Sequence, residues 1–219
     1  VYKHLVFVLV FALTSVALPA RAGNWEVTIT NVTVAQTFTP LVVITHKKKY
    51  EMFTLGNAAD DALEAMAEGG DTSLIAAAAE ADATDIQSSD GLLGPGESVT
   101  LTLEGKVSRD RLSLAGMLLP TNDNFVALNA ITLPKNGARQ YLALAYDAGT
   151  EMNDQNCRNI PGPLCGGEGI SVDSGEGMVH VGNGIHDLGS EDEDGFQIIS
   201  PRRYDWRNPV ALIRVKRMY

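Results

Sequence analysis

Short, turn-bounded apolar runs of strand length fill most of this chain, and a single helical stretch interrupts them. Residues 25–33, Trp-Glu-Val-Thr-Ile-Thr-Asn-Val-Thr, alternate with period two and are rich in β-branched side chains, the pattern of a half-buried strand. Residues 41–45 form a continuous apolar run of strand length. Further strands are predicted at 98–104, 111–119, 125–133, 141–145 and 209–218, with an Asn136-Gly137 hairpin signal between the fourth and fifth of the strands from 98 onward counted with 41–45. Residues 57–83 break the pattern. They are alanine-rich, carry Leu63, Met66, Leu74 and Ile75 at helical spacings, pause at Gly69-Gly70, and restart at Asp71-Thr72. Many short strands plus one helical insertion predict an all-β, antiparallel β-sandwich with a short helical insertion near 57–83. The Gly- and acid-rich segment 153–198 reads as loop with one short strand at 178–181.

The N-terminal residues are read apart from the fold. Lys3 and His4 precede an apolar run at 5–18, and Ala20-Arg21-Ala22 has a small-x-small pattern, so residues 1–22 are predicted to be a secretory signal peptide and residues 23–219 one domain. The apolar run is short for a membrane span. Without Lys3 and Arg21 the formal charge moves from -10 to -12. So acidic a chain is a poor partner for nucleic acid or anionic lipid, both of which call for a basic face. Arg202, Arg203, Arg207, Arg214, Lys216 and Arg217 make a basic C-terminal run, read as a local basic face or as solvated strand ends. A secreted or periplasmic location follows from the leader. In such an oxidising compartment Cys157 and Cys165 are predicted to close a short Pro- and Gly-containing loop as a disulfide.

Two acidic turns carry the chemistry. Residues 146–154, Tyr-Asp-Ala-Gly-Thr-Glu-Met-Asn-Asp, set oxygen-bearing side chains around one glycine, and residues 120–125, Pro-Thr-Asn-Asp-Asn-Phe, lie one hairpin upstream. Brought to the same end of a sheet, they form either a cage of hard oxygen ligands suited to calcium or acidic turns facing water. Magnesium is disfavoured because it demands tighter octahedral geometry. His46, His180 and His186 do not match the spacing of a zinc motif, and Gly182-Asn183-Gly184 reads as a turn. They are assigned structural or supporting roles around the acidic loops. Residues 191–194, four consecutive acids, are assigned to a solvated loop. Asn31-Val32-Thr33 fits a glycosylation pattern but lies within a predicted strand. No Gly-x-Ser-x-Gly element is present, and the chain is read as a non-enzyme; a metalloenzyme built on the histidines would announce itself by zinc.

An ordered set of motifs resembles a known family. These are Thr37-Phe38-Thr39-Pro40, Val43-Ile44-Thr45-His46, Leu55-Gly56, the stretch 63–71 (LEAMAEGGD), the stretch 113–126 (SLAGMLLPTNDNFV), 146–154 (YDAGTEMND), and Asn208-Pro209-Val210-Ala211. Together they resemble a bacterial spondin domain, related to the N-terminal module of F-spondin and mindin. The resemblance implies a secreted sandwich with a C2-like arrangement, a calcium ion held by loops at one end, and a role in adhesion or ligand recognition rather than catalysis. It assigns Asp123 to the first calcium loop and Asp147 and Glu151 to the acids of the second, with Glu151 standing where animal members carry Asp. Asn153 and Asp154 are candidates for a further ligand or for orienting that loop. The implied partner is an unidentified cell-surface or extracellular protein or glycan. The alternative is a self-assembling structural or surface-layer protein.

Overall fold

The structure is a computed structural model that describes residues 22–170 and 175–219. The leader assigned to 1–22 therefore lies outside the described residues except for Ala22, which begins the first strand.

Strand β1 (Ala22–Asn31) keeps the alternation of its sequence. Trp25, Val27 and Ile29 are fully buried, and the intervening Glu26, Thr28 and Thr30 face outward. It lies between β5 (Ser98–Lys106) and β10 (Ala211–Arg217), antiparallel to both. On the outer face hydroxyls pair across strands, Thr28 with Thr100 at 3.0 Å and Thr30 with Ser98 at 2.7 Å.

The strands with continuous apolar runs need cover on both faces, and they have it. In β3 (Val42–Lys47), β6 (Asp110–Leu119) and β7 (Asn124–Thr132), alternate residues enter two different cores. Val43, Leu112, Leu114, Val126 and Leu128 join Trp25, Val27 and Ile29 inside the rolled sheet. Val42, Ile44, Ala115, Phe125 and Ala127 face the other way, against Leu63 and Met66 of α1 (Asp61–Gly69) and Ile75 and Ala79 of α2 (Ser73–Ala79). The helical insertion thus covers the outer face of the central strands. Asp60 caps α1 by accepting from the Leu63 N–H at 2.9 Å, and Gly70, at φ 71°, ends it in the left-handed conformation that glycine tolerates.

Three elements escape the sequence pattern. Strand β2 (Thr37–Phe38) is only two residues long and pairs with β6. Strand β4 (Ala83–Ser88) pairs antiparallel with β3, but its Ala-Thr-Asp-Ile-Gln-Ser sequence is mostly polar and only half-buried. Helix α3 (Pro201–Tyr204) is a single turn. Strand β8 (Ala138–Asp147) pairs with β7 only at its far end, Asn124 opposite Asp147, and then with β10. At the predicted Asn136-Gly137 hairpin the chain bends, with Gly137 at φ 61°, but the flanking strands pair there with different neighbours and not with each other.

The strands follow one hydrogen-bonded path, β4-β3-β6-β7-β8-β10-β1-β5. Its two ends approach each other: the Glu104 N–H donates to Asp85 Oδ2 at 2.7 Å, and the Thr45 hydroxyl donates to the Glu104 carbonyl at 2.5 Å. The antiparallel, mainly β expectation holds. The path is a nearly closed roll, and a division into two sheets or a C2-like arrangement is a finer statement than it makes. No helix among the described residues is long and apolar enough to cross a membrane.

Candidate metal centre

Register places the two acidic turns side by side. Because Asn124 begins β7 directly opposite Asp147 at the end of β8, the turn before β7 abuts the turn after β8. The Ala148 N–H donates to the Asp123 carbonyl at 3.2 Å, joining them. A third segment then crosses over. The Gly175 N–H donates to the Thr150 carbonyl and the Gly177 N–H to the Gly149 carbonyl, and β9 (His180–Val181) pairs with the end of β8, His180 opposite Asp147. Gly149 is essential to this crossing. Its φ is 67°, and a Cβ there would sit 2.3 Å from the Met178 carbonyl oxygen.

Asp123, Asp147 and Glu151 are each at most 1% exposed. Asp123 Oδ2 accepts from the Thr150 N–H at 2.8 Å, the Glu151 N–H at 3.2 Å and the Thr150 hydroxyl at 3.3 Å. Its Oδ1 has no donor. Asp147 Oδ1 accepts from the Gly149 N–H at 2.9 Å, and Oδ2 from the amides of Asn124 at 3.1 Å and Asn153 at 2.9 Å. Glu151 Oε1 accepts from the Asn122 amide at 3.2 Å, whereas Oε2 is buried without a donor, as is Asn124 Oδ1.

Burial dominates the electrostatics. It pushes the Asp123 carboxyl up to about 7, helped by the charge of neighbouring Asp147. Glu151 rises to about 8 for the same reason, with buried Glu68 of α1, Asp123 and Asp154 adding repulsion. Asp147 is raised by burial as well, against the pull of the Asn153 amide and of His180. Three buried carboxyls resist ionisation and lie in the same two turns as acceptor oxygens with no donor, but Asp123, Asp147 and Glu151 are not a trio whose ligand atoms all lie within 4.8 Å of one another.

His180, read from the sequence as a supporting residue, lies beside two carboxylates. Its Nε2 lies 3.4 Å from Asp147 Oδ1 and 3.7 Å from Glu176 Oε2. Among the described residues, Asp147, Glu176 and His180 are the metal-ligating side chains whose donor atoms lie within 4.8 Å of one another; Asp123 and Glu151 are not members of that group. Partial burial lowers the His180 pKa, but the Val181 carbonyl and the two carboxylates outweigh it and hold the ring above its ordinary value. Glu176 was not singled out by the sequence, since neither spacing nor periodicity relates it to Asp147 across an intervening loop. His186 contributes only its backbone, which is bonded in both directions by Gln155. His46 is buried in β3, bonded to Ser113 at 2.8 Å.

Asn153 and Asp154 are both hydrogen-bonded within the loop cluster. The Asn153 amide donates to Asp147 Oδ2 and, at 3.3 Å, to Glu176 Oε1. Asp154 accepts from Asn122 at 2.9 Å, the Asn156 N–H at 2.8 Å and Asn159 at 2.7 Å. Cys157 and Cys165 form the expected disulfide. The acidic run is more than a solvated loop: Asp192 and Asp194 pair with Arg158, and Asp192 also accepts from Asn156 at 2.6 Å and the Phe196 N–H at 2.7 Å.

With this geometry in hand, comparison with known families is decisive. The Spondin_N family model matches residues 30–154, more than half of the chain. The chain belongs to the Spondin_N family. No curated protein matches it. The matched span contains Asp123, Asp147 and Glu151 and ends at Asp154, so Glu176 and His180 of this Spondin_N chain lie beyond it. Membership identifies an extracellular-type module, and the disulfide agrees with an oxidising compartment.

Proposed function

We propose that this protein is a secreted or periplasmic calcium-binding module for adhesion or ligand recognition, without catalytic activity, and that its rolled sheet is a variant of the C2-like sandwich. The observation that carries the calcium reading is the trio of buried, donor-free oxygens, Asp123 Oδ1, Asn124 Oδ1 and Glu151 Oε2, in the two loops that also hold Asp147. Asp123, Asp147 and Glu151 would hold the ion, with Asn153 and Asp154 keeping their loop in place. Calcium supplies positive charge that replaces mutual carboxylate repulsion with attraction and ties the loops before β7 and after β8 together. A loop end fixed in this way is a preorganised face for an extracellular protein or glycan, because ordering costs have been met before the partner arrives.

A cation that binds only the folded state at about a hundred times its Kd adds about 2.7 kcal/mol, or roughly 5–10 °C of melting temperature for a domain of this size. Melting curves with calcium and with chelator test this directly. Identical curves would refute the site. The alternative, a self-assembling structural or surface-layer protein, draws less support, because the terminal strands β4 and β5 face each other through Asp85 and Glu104 rather than standing open for edge pairing.

A further inference from the structure

We propose that Asp147, Glu176 and His180 form a distinct site for a borderline divalent metal of the zinc class, sharing only Asp147 with the carboxylate set assigned to calcium. His180 Nδ1 lies 3.0 Å from the Val181 carbonyl, an acceptor, so Nδ1 carries a proton, and Nε2 faces the two carboxylates. Nε2 is buried and has no hydrogen-bond partner. Without metal a proton on Nε2 occupies this gap; a metal ion that displaces it meets one nitrogen and two carboxylate oxygens already facing one another.

The spacing admits a divalent cation, and the imidazole selects among them. Ligands about 2.0–2.1 Å from a tetrahedral zinc sit roughly 3.3–3.4 Å from one another. The separations of Nε2 from Asp147 Oδ1 and Glu176 Oε2 are 3.4 and 3.7 Å. An imidazole nitrogen also favours zinc and its neighbours over calcium, which prefers oxygen throughout.

The surrounding groups are those of a built site. One Asn153 amide donates to Asp147 Oδ2 and to Glu176 Oε1, while the other oxygen of each carboxylate faces His180; Asp147 Oδ1 also accepts from the Gly149 N–H. Asn124 adds a second hold on Asp147. Bonds of this kind fix ligand direction at many metal centres. Burial falls from Asp147, with a side chain 1% exposed, through His180 at 20% to Glu176 at 42%, which opens the site to solvent on the Glu176 side. Three protein ligands leave a fourth position for water.

The test uses the untagged, metal-free protein, titrated with zinc against a chromophoric chelator and separately with cobalt, whose visible absorption reports tetrahedral coordination. One equivalent of zinc is expected. His180→Ala and Glu176→Gln should each weaken it more than about a hundredfold, and Asn153→Ala about ten- to a hundredfold. Both ligand side chains are partly exposed, so these variants should melt like the parent protein when metal-free. Asp123→Asn should abolish the calcium-induced rise in melting temperature while zinc affinity persists, and His180→Ala should do the reverse. Zinc that fails to bind, or binds His180→Ala and Glu176→Gln as tightly as the parent, overturns the proposal whatever calcium does. Zinc binding without a calcium response would overturn the calcium reading and leave this site standing.

Discussion

Asp123→Asn separates the charge of the metal centre from its shape. In the folded, metal-free chain burial raises the Asp123 carboxyl from 3.8 to about 7. The folded chain therefore holds a proton that the unfolded chain has released across that interval. Asp123 thus stabilises least once the pH has passed about 7, and the loss accumulates as pH rises from about 4. At 1.36 kcal/mol per pH unit, the raised pKa costs roughly 4 kcal/mol at about pH 8, where the buried group is ionised, and roughly 2 kcal/mol at about pH 5, where the folded chain must keep its proton. Asparagine carries no such cost. Its oxygen can replace Oδ2 as acceptor for the Thr150 and Glu151 N–H groups. Urea unfolding in chelator should therefore find the variant more stable than the parent, with an advantage roughly 2–3 kcal/mol larger at about pH 8 than at about pH 5. In saturating calcium the order should reverse. An advantage that does not change with pH, or a variant less stable in chelator at both pH values, would refute the picture of an ionised carboxylate buried at a cost.

Other changes probe the frame around the centre. Gly149→Ala forces a side chain into a left-handed position against the Met178 carbonyl, and should cost at least about 2 kcal/mol and weaken cation binding together, read by urea unfolding and by calcium titration. Leu63→Ala empties part of the core beneath α1 and should cost about 2–5 kcal/mol by the same unfolding assay, leaving the calcium response of the folded protein intact. Replacing both Cys157 and Cys165 by alanine should cost roughly 2–3 kcal/mol, the chain-entropy value for so short a loop, read as a lower urea midpoint with unchanged calcium stoichiometry.

What could be read in advance follows from which interactions are local. The alternation at Trp25, Val27 and Ile29 reports one buried face directly, and the Gly69-Gly70 break reports the end of α1. The run at 41–45 announced a strand, yet only the packing of α1 and α2 explains why Val42 and Val43 are both buried. Strand β4 was hidden because half-buried polar residues at a sheet end carry no apolar signature. At the metal centre, Asp123, Asp147 and Glu151 stood out because they cluster within two turns. Glu176 did not, since only the pairing of β9 with β8 sets it beside Asp147. The same long-range register turns His180 from a supporting residue into a candidate ligand, a change that spacing alone does not reveal.

Elemental analysis of the purified protein, paired with melting curves in calcium and in chelator, addresses the central claim most directly. One bound calcium per chain and a fall of roughly 5–10 °C on chelation are expected. Protein without calcium whose melting temperature ignores both calcium and chelator would contradict it.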